Sequence, residues 1–149
     1  MPKLTHLLLC LPLLLALAAC TPAADPTPIP AVASHVELDV FSGLPNPAWD
    51  LPPAGTAVLL AMIGALPPSP SVSLPTPLGY RGFLVTIPGS SSASVVTLRA
   101  YRGIVAYQGP KTAYYADPAK QVERWLLSTS RPHIDAQLYD SLLLEIERQ

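Results

Sequence analysis

Apolar and polar residues alternate strictly from His35 to Phe41, with Val36, Leu38 and Val40 on one side and His35, Glu37 and Asp39 on the other. That period of two predicts a half-buried strand. Ser42-Gly43 and the two X-Pro bonds at Pro45 and Pro47 predict a turn-rich loop without regular structure as far as Asp50. Pro52-Pro53 then opens a helix from its first turn. Val58, Leu59, Met62, Ile63 and Leu66 form its wide apolar stripe, and Pro67-Pro68 stops it. This helix is expected to be buried on most sides. Five prolines and three serines between Pro67 and Leu78 make a surface connection of fixed extended shape.

Phe83, Val85 and Ile87 alternate in a second strand, and Pro88 to Ser92 turns into a third. A tight turn at Arg102-Gly103 pairs Ala100 with Val105 and Leu98 with Tyr107, and so gathers Val96, Leu98, Ala100, Val105 and Tyr107 on one apolar face. Gly109-Pro110 ends the fourth strand, and Thr112 to Ala116 adds a short fifth. Asp117-Pro118 reads as a helix cap followed by proline at the first helical position, with Val122, Trp125 and Leu126 on the buried stripe of a helix ending near Ser130. A last helix starts at Asp135, with Ile134 and Tyr139 as a hydrophobic staple and Leu138, Leu142 and Ile146 on its buried face. The order predicts an α+β domain: an antiparallel sheet of four to five strands with about three helices packed on one face.

Composition moves attention to the amino terminus. Half of the 149 residues are hydrophobic and 13 % are charged, and the 19 prolines outnumber the 8 glycines. Lys3 and His6 precede the apolar run Leu7–Ala19, which at 1.5 Å per residue reaches about 20 Å, short of a ~30 Å bilayer core. It is therefore expected to be a secretory leader over residues 1–19. The run closes on Leu17-Ala18-Ala19-Cys20. This resembles the lipobox of bacterial lipoproteins. The resemblance implies export, cleavage before Cys20, diacylglycerol on the Cys20 sulfur and, in many bacteria, acylation of the new amino terminus, palmitate included. A plain secretory signal cleaved near Ala19 is the alternative. Thr21, in place of Asp, implies outer-membrane sorting by resemblance to enteric lipoproteins, if the host has an outer membrane.

Cys10 leaves with the leader and Cys20 carries lipid, so the mature chain is expected to offer no thiol for a disulfide, a zinc site or a nucleophile. Two or three acyl chains make such an anchor effectively permanent. Residues 20–33 hold four prolines and no apolar period, a stiff tether of up to ~40 Å. Residues 34–149 are enough for a single core. The whole chain has a formal charge of -1, and loss of Lys3 makes it -2, so no nucleic-acid partner is expected.

The candidate chemistry is sparse. His35, Glu37 and Asp39 share a strand face and include metal-ligating types, but positions i and i+4 of a strand lie about 13 Å apart. Alternation alone explains them as a solvated polar face, and no metal or cofactor site is expected. Phe41-Ser-Gly-Leu-Pro-Asn-Pro-Ala-Trp49 is the most distinctive segment. An aromatic plate at Trp49 beside the Asn46 amide suits a sugar or peptidoglycan contact, and the competing reading makes Trp49 a core plug. The segment resembles a Phe-Ser-Gly-x-Pro-Asn-Pro-x-Trp stretch of small exported proteins of unknown function. That resemblance implies no activity. Tyr80-Arg81-Gly82 and Tyr101-Arg102-Gly103 read as strand-edge turns, and convergence of Arg81 with Arg102 would make an anion site.

No Gly-x-Ser-x-Gly occurs, and a Ser-His-Asp triad would need His35 or His133. No catalytic residue is assigned. The expected function is binding in the cell envelope, of a polymer or a protein, by a domain held at the membrane through Cys20, with Asn46, Trp49, Arg81 and Arg102 as candidate contacts. An envelope hydrolase whose carboxylates meet only in space is the alternative. A third reading is a structural component whose partner buries the first helix.

Overall fold

The computed structural model describes residues 32–89 and 94–148. The leader, Cys20, most of the tether and the Ser90–Ser92 turn lie outside the described residues. The elements are β1 (Ser34–Leu38), β2 (Ala48–Leu51), α1 (Pro53–Gly64), β3 (Phe83–Pro88), β4 (Val95–Tyr101), β5 (Ile104–Gln108), β6 (Thr112–Ala116), α2 (Gln121–Thr129) and α3 (Ala136–Arg148). The strands form one antiparallel sheet in the order β2-β1-β3-β4-β5-β6. The α+β class and the three helices are as expected, but the sheet has six strands rather than four or five.

The additional strand is β2, inside the segment expected to be irregular. Pro45 and Pro47 precede Ala48–Leu51 rather than interrupt it, so every ladder amide of β2 is intact. The Pro47 carbonyl accepts from the Leu38 amide at 2.9 Å, and pairing runs from Glu37↔Ala48 to Ser34↔Leu51. Trp49 and Leu51 thereby point to the same side as Val36 and Leu38.

The hairpin register is as the apolar pattern requires: Ala100 lies opposite Val105 and Leu98 opposite Tyr107, across a turn in which Arg102 (φ 53°) and Gly103 (φ 69°) are both left-handed. The opposite edge of the sheet is protected by the proline-rich connection. Ser69 N–H donates to the Tyr114 carbonyl at 2.7 Å and Ala116 N–H to the Pro67 carbonyl at 2.9 Å, so β6 is not left open there.

All three helices contribute to a single core on one sheet face, with Leu59 and Ile63 from α1, Val122, Leu126 and Leu127 from α2, and Tyr139, Leu142 and Ile146 from α3. α2 lies between α1 and α3, contacting both. Two helix expectations need correction. α1 is not buried on most sides: Leu59 and Ile63 are buried, but Val58 is 46 % and Leu60 38 % exposed, because α1 is an outer helix of the layer. α2 starts at Gln121 rather than beside Pro118, since Lys120 is left-handed (φ 52°) and Asp117 to Lys120 forms a separate turn. Asp117 still caps it from below, its Oδ2 accepting from Val122 N–H at 2.8 Å. α3 begins as expected, with Asp135 Oδ1 accepting from Leu138 N–H at 2.8 Å.

The sheet has two distinct ends. At one, Ser34 enters β1 opposite Leu51, and its hydroxyl meets the Thr56 hydroxyl of α1 at 2.9 Å. At the other lie Leu38, Phe83, Ala100 and the Arg102-Gly103 turn.

Candidate functional site

The segment after β1 folds back through Asn46. Its Oδ1 accepts from Val40 N–H at 3.1 Å and Phe41 N–H at 2.8 Å, while Nδ2 donates to Glu37 Oε1 at 2.7 Å. Beside it, Asp39 accepts from Arg81 through Nε at 3.0 Å and Nη2 at 2.5 Å, and from Arg99 Nη1 at 3.2 Å. Arg81 also donates to the Phe41 and Gly79 carbonyls at 3.0 and 3.1 Å. Burial alone pushes the Asp39 carboxyl up, but the hydrogen bonds and charge of Arg81, joined by Arg99, outweigh it and hold the group below its ordinary value. Asn46 and Arg81, two of the candidate contacts, are thus engaged in fixing the loop to the sheet.

Trp49 is 4 % exposed. Its Nε1 donates to the Thr129 hydroxyl at 3.1 Å, its edge meets Phe83 at a centroid distance of 6.4 Å, and His133 stacks on it at 5.6 Å and 9°. The indole is a core plug joining β2 to α2, with no open face to receive a sugar. His35 pairs instead with Asp50 at 2.8 Å across β1 and β2, while Glu37 and Asp39 both accept from Asn46 Nδ2, at 2.7 and 3.5 Å, and Asp39 also holds Arg81 and Arg99. Among the described residues no group of three metal-ligating side chains comes together.

A cleft opens at the far end of the sheet, between the Pro77–Tyr80 segment, the β4–β5 turn and α3. It has a volume of about 360 Å³ and is lined by Val40, Leu78, Tyr80, Tyr101, Arg102, Leu138, Ser141 and Glu145 among others. Gly82 makes this end possible: at φ +97° it is left-handed, and a Cβ there would come within 2.3 Å of the Ala100 carbonyl oxygen. β3 can therefore approach β4 closely while Tyr80 turns towards the helices. Tyr80 donates to Glu123 Oε2 at 2.7 Å, and Gly103 N–H donates to Glu123 Oε1 at 2.9 Å.

Burial raises the Glu123 carboxyl above its ordinary value against the pull of those two donors, with Asp117 adding repulsion. Burial, with Glu123 next, also raises the Tyr80 hydroxyl, so it remains a donor. Tyr101 packs edge-on against Tyr80 at 5.7 Å, and its buried hydroxyl has no hydrogen-bond partner. Arg102 covers the Tyr101 ring at 5.4 Å. The lining therefore combines apolar and aromatic surface with the polar groups of Arg102, Ser141 and Glu145, a combination suited to a ligand with an apolar body and a hydrogen-bonding group.

Of the four candidate contacts, only Arg102 lines this cleft. Arg81 meets Arg99 on Asp39 rather than converging with Arg102. Tyr80 and Tyr101 stand in the two Tyr-Arg-Gly segments read as strand-edge turns, whereas Ser141 and Glu145 carried no signal, because elements distant in the chain bring all four together. Glu123 did carry a signal, since it lies three and four residues before Leu126 and Leu127 on the buried side of α2.

Comparisons with protein-family models, with curated proteins and with solved structures found no match.

Proposed function

We propose that the chain is an exported domain anchored to a bacterial membrane through lipid on Cys20, that it binds a component of the cell envelope, and that the cleft beside Arg102 is its binding site. The observation that carries this reading is the cleft's position. The tether joins at Ser34, at one end of the sheet, and the cleft lies at the other, where β1 ends and β4 turns into β5. An anchored domain with that polarity presents its cleft away from the membrane. The rim supports the same reading: Leu78, 90 % exposed, offers apolar surface in the same lining as the exposed Arg102.

The hydrolase alternative would draw on Asp117 and Glu123, which the fold brings near each other. Each is 1 % exposed, so neither has a route to substrate, and the cleft lining itself contributes Glu145 as its carboxylate.

The test is site-specific photocrosslinking in intact cells, with a photoreactive amino acid at Leu78 or, as control, at Gln108 on the uncovered sheet face. Leu78 is expected to give an envelope adduct that Arg102→Ala weakens at equal protein level. Absence of that adduct, or the same adduct from Gln108, would overturn the assignment of the cleft. In parallel, Cys20→Ala should abolish incorporation of labelled fatty acid, and unchanged labelling would overturn the anchor.

A further inference from the structure

The outer surface of α1 is apolar and carries no charge. Ala54, Val58, Leu60, Ala61 and Ala65 are exposed along it, whereas Leu59 and Ile63 take the core side. The absence of charge extends further: from Leu51 to Tyr80, 30 consecutive residues include no Asp, Glu, Lys or Arg. An exposed helix face of a water-surrounded domain ordinarily carries charges. Here all such groups lie elsewhere.

The place where the chain enters the domain identifies what this face meets. Ser34 begins β1, and its hydroxyl contact with Thr56 fixes the entry point against the first turns of α1. Only residues 21–33 lie between that point and Cys20, a reach of at most ~40 Å at 3.1 Å per residue, shortened by any bend. The size of the face argues against a protein occupant. A 12-residue helix is about 18 Å long and about 10 Å wide, so its outer side offers roughly 200 Å², well short of the ~800 Å² per partner of a stable interface. A bilayer surface needs no such area, because the anchor already supplies the affinity and the helix has only to set the orientation.

We infer that the outer face of α1 rests on the lipid bilayer, in the interfacial layer, and so fixes the orientation of the anchored domain. The inference builds on lipid attachment at Cys20 and adds which surface faces the membrane. α1 runs from Thr56, beside Ser34, to the Pro67 carbonyl that accepts from Ala116 N–H, so contact along its length sets the tilt of the whole domain on the bilayer.

The experiment maps lipid contact along the chain. Protein purified from host membranes is placed in phosphatidylethanolamine/phosphatidylglycerol vesicles containing a phospholipid with a diazirine near the glycerol end of its acyl chain. If the Cys20 thiol is free, it is first coupled to a maleimide lipid, so the protein is membrane-bound in either case. After illumination, lipid adducts are located by peptide mass spectrometry. The mass of the Cys20 peptide from the host decides natural lipidation, separately from the adduct map.

Adducts are expected to concentrate in residues 53–65, and to be rare on the uncovered sheet face. Ala61→Asp and Val58→Asp, at exposed positions that leave the core intact, are expected to remove most of them while the protein stays with the vesicles. Adducts spread evenly over the domain, or absent from residues 53–65, would overturn the inference, whatever the state of Cys20.

Discussion

Trp49 is where the competing readings of the FSGLPNPAW segment diverge most in consequence. Replacing it with alanine empties a site bounded by Phe83, His133 and Thr129. A tryptophan side chain buries ~150–250 Å², which at about 25 cal/mol per Å² corresponds to ~4–6 kcal/mol, in line with ~3–5 kcal/mol for large-to-small core changes. Trp49→Phe keeps an aromatic ring against Phe83 and loses the indole hydrogen bond. The Thr129 hydroxyl still donates to the Leu126 carbonyl at 2.7 Å, so no buried donor is stranded.

That variant should cost about 2 kcal/mol, half from the hydrogen bond and half from lost volume. A domain of this size has ~5–15 kcal/mol in total, so Trp49→Ala brings it close to unfolding and Trp49→Phe lowers Tm by roughly 6–12 °C. Urea titrations followed by far-UV circular dichroism measure both, and Trp125 remains as a fluorescence reporter. A Trp49→Ala protein with the parent's denaturation midpoint but no envelope binding would refute this reasoning and restore the exposed-plate reading.

Asp39→Asn should destabilise by roughly 2–4 kcal/mol at pH 7, because Asp39 is buried at 8 % exposure and the change leaves Arg81 and Arg99 without their shared counter-charge. Since the folded-state pKa of Asp39 lies below its ordinary value of 3.8, the wild-type advantage is present above that value and fades as pH falls through the folded pKa. Stability curves of the two proteins should therefore converge in acid, and a gap independent of pH would show that charge is not its origin. Gly82→Ala combines a left-handed backbone with a Cβ only 2.3 Å from the Ala100 carbonyl oxygen and 2.7 Å from Tyr101 Cβ. It should cost at least about 3 kcal/mol and open the β3–β4 end of the sheet, and a melting temperature unchanged from the parent's would contradict this.

What the chain reveals by itself follows from periodicity and local stereochemistry. Alternation places Val36, Leu38, Phe83 and Val85 in strands, apolar agreement across Arg102-Gly103 sets the β4–β5 register, and Asp135 marks the start of α3. These features need only neighbours in sequence or across one tight turn. β2 was hidden because its prolines read as breakers until Asn46 clips the segment back on β1, a contact no local rule supplies. Trp49 could be read as plate or plug, and only the closure of α2 and His133 over it decided. The cleft belongs wholly to tertiary structure, because Tyr80, Tyr101 and Glu145 sit on three separate elements. The sheet's two ends are of the same kind: the pattern shows a strand at Ser34 and an apolar helix, but tertiary structure puts Thr56 against Ser34, and strand direction puts the cleft at the other end of β1 from Ser34.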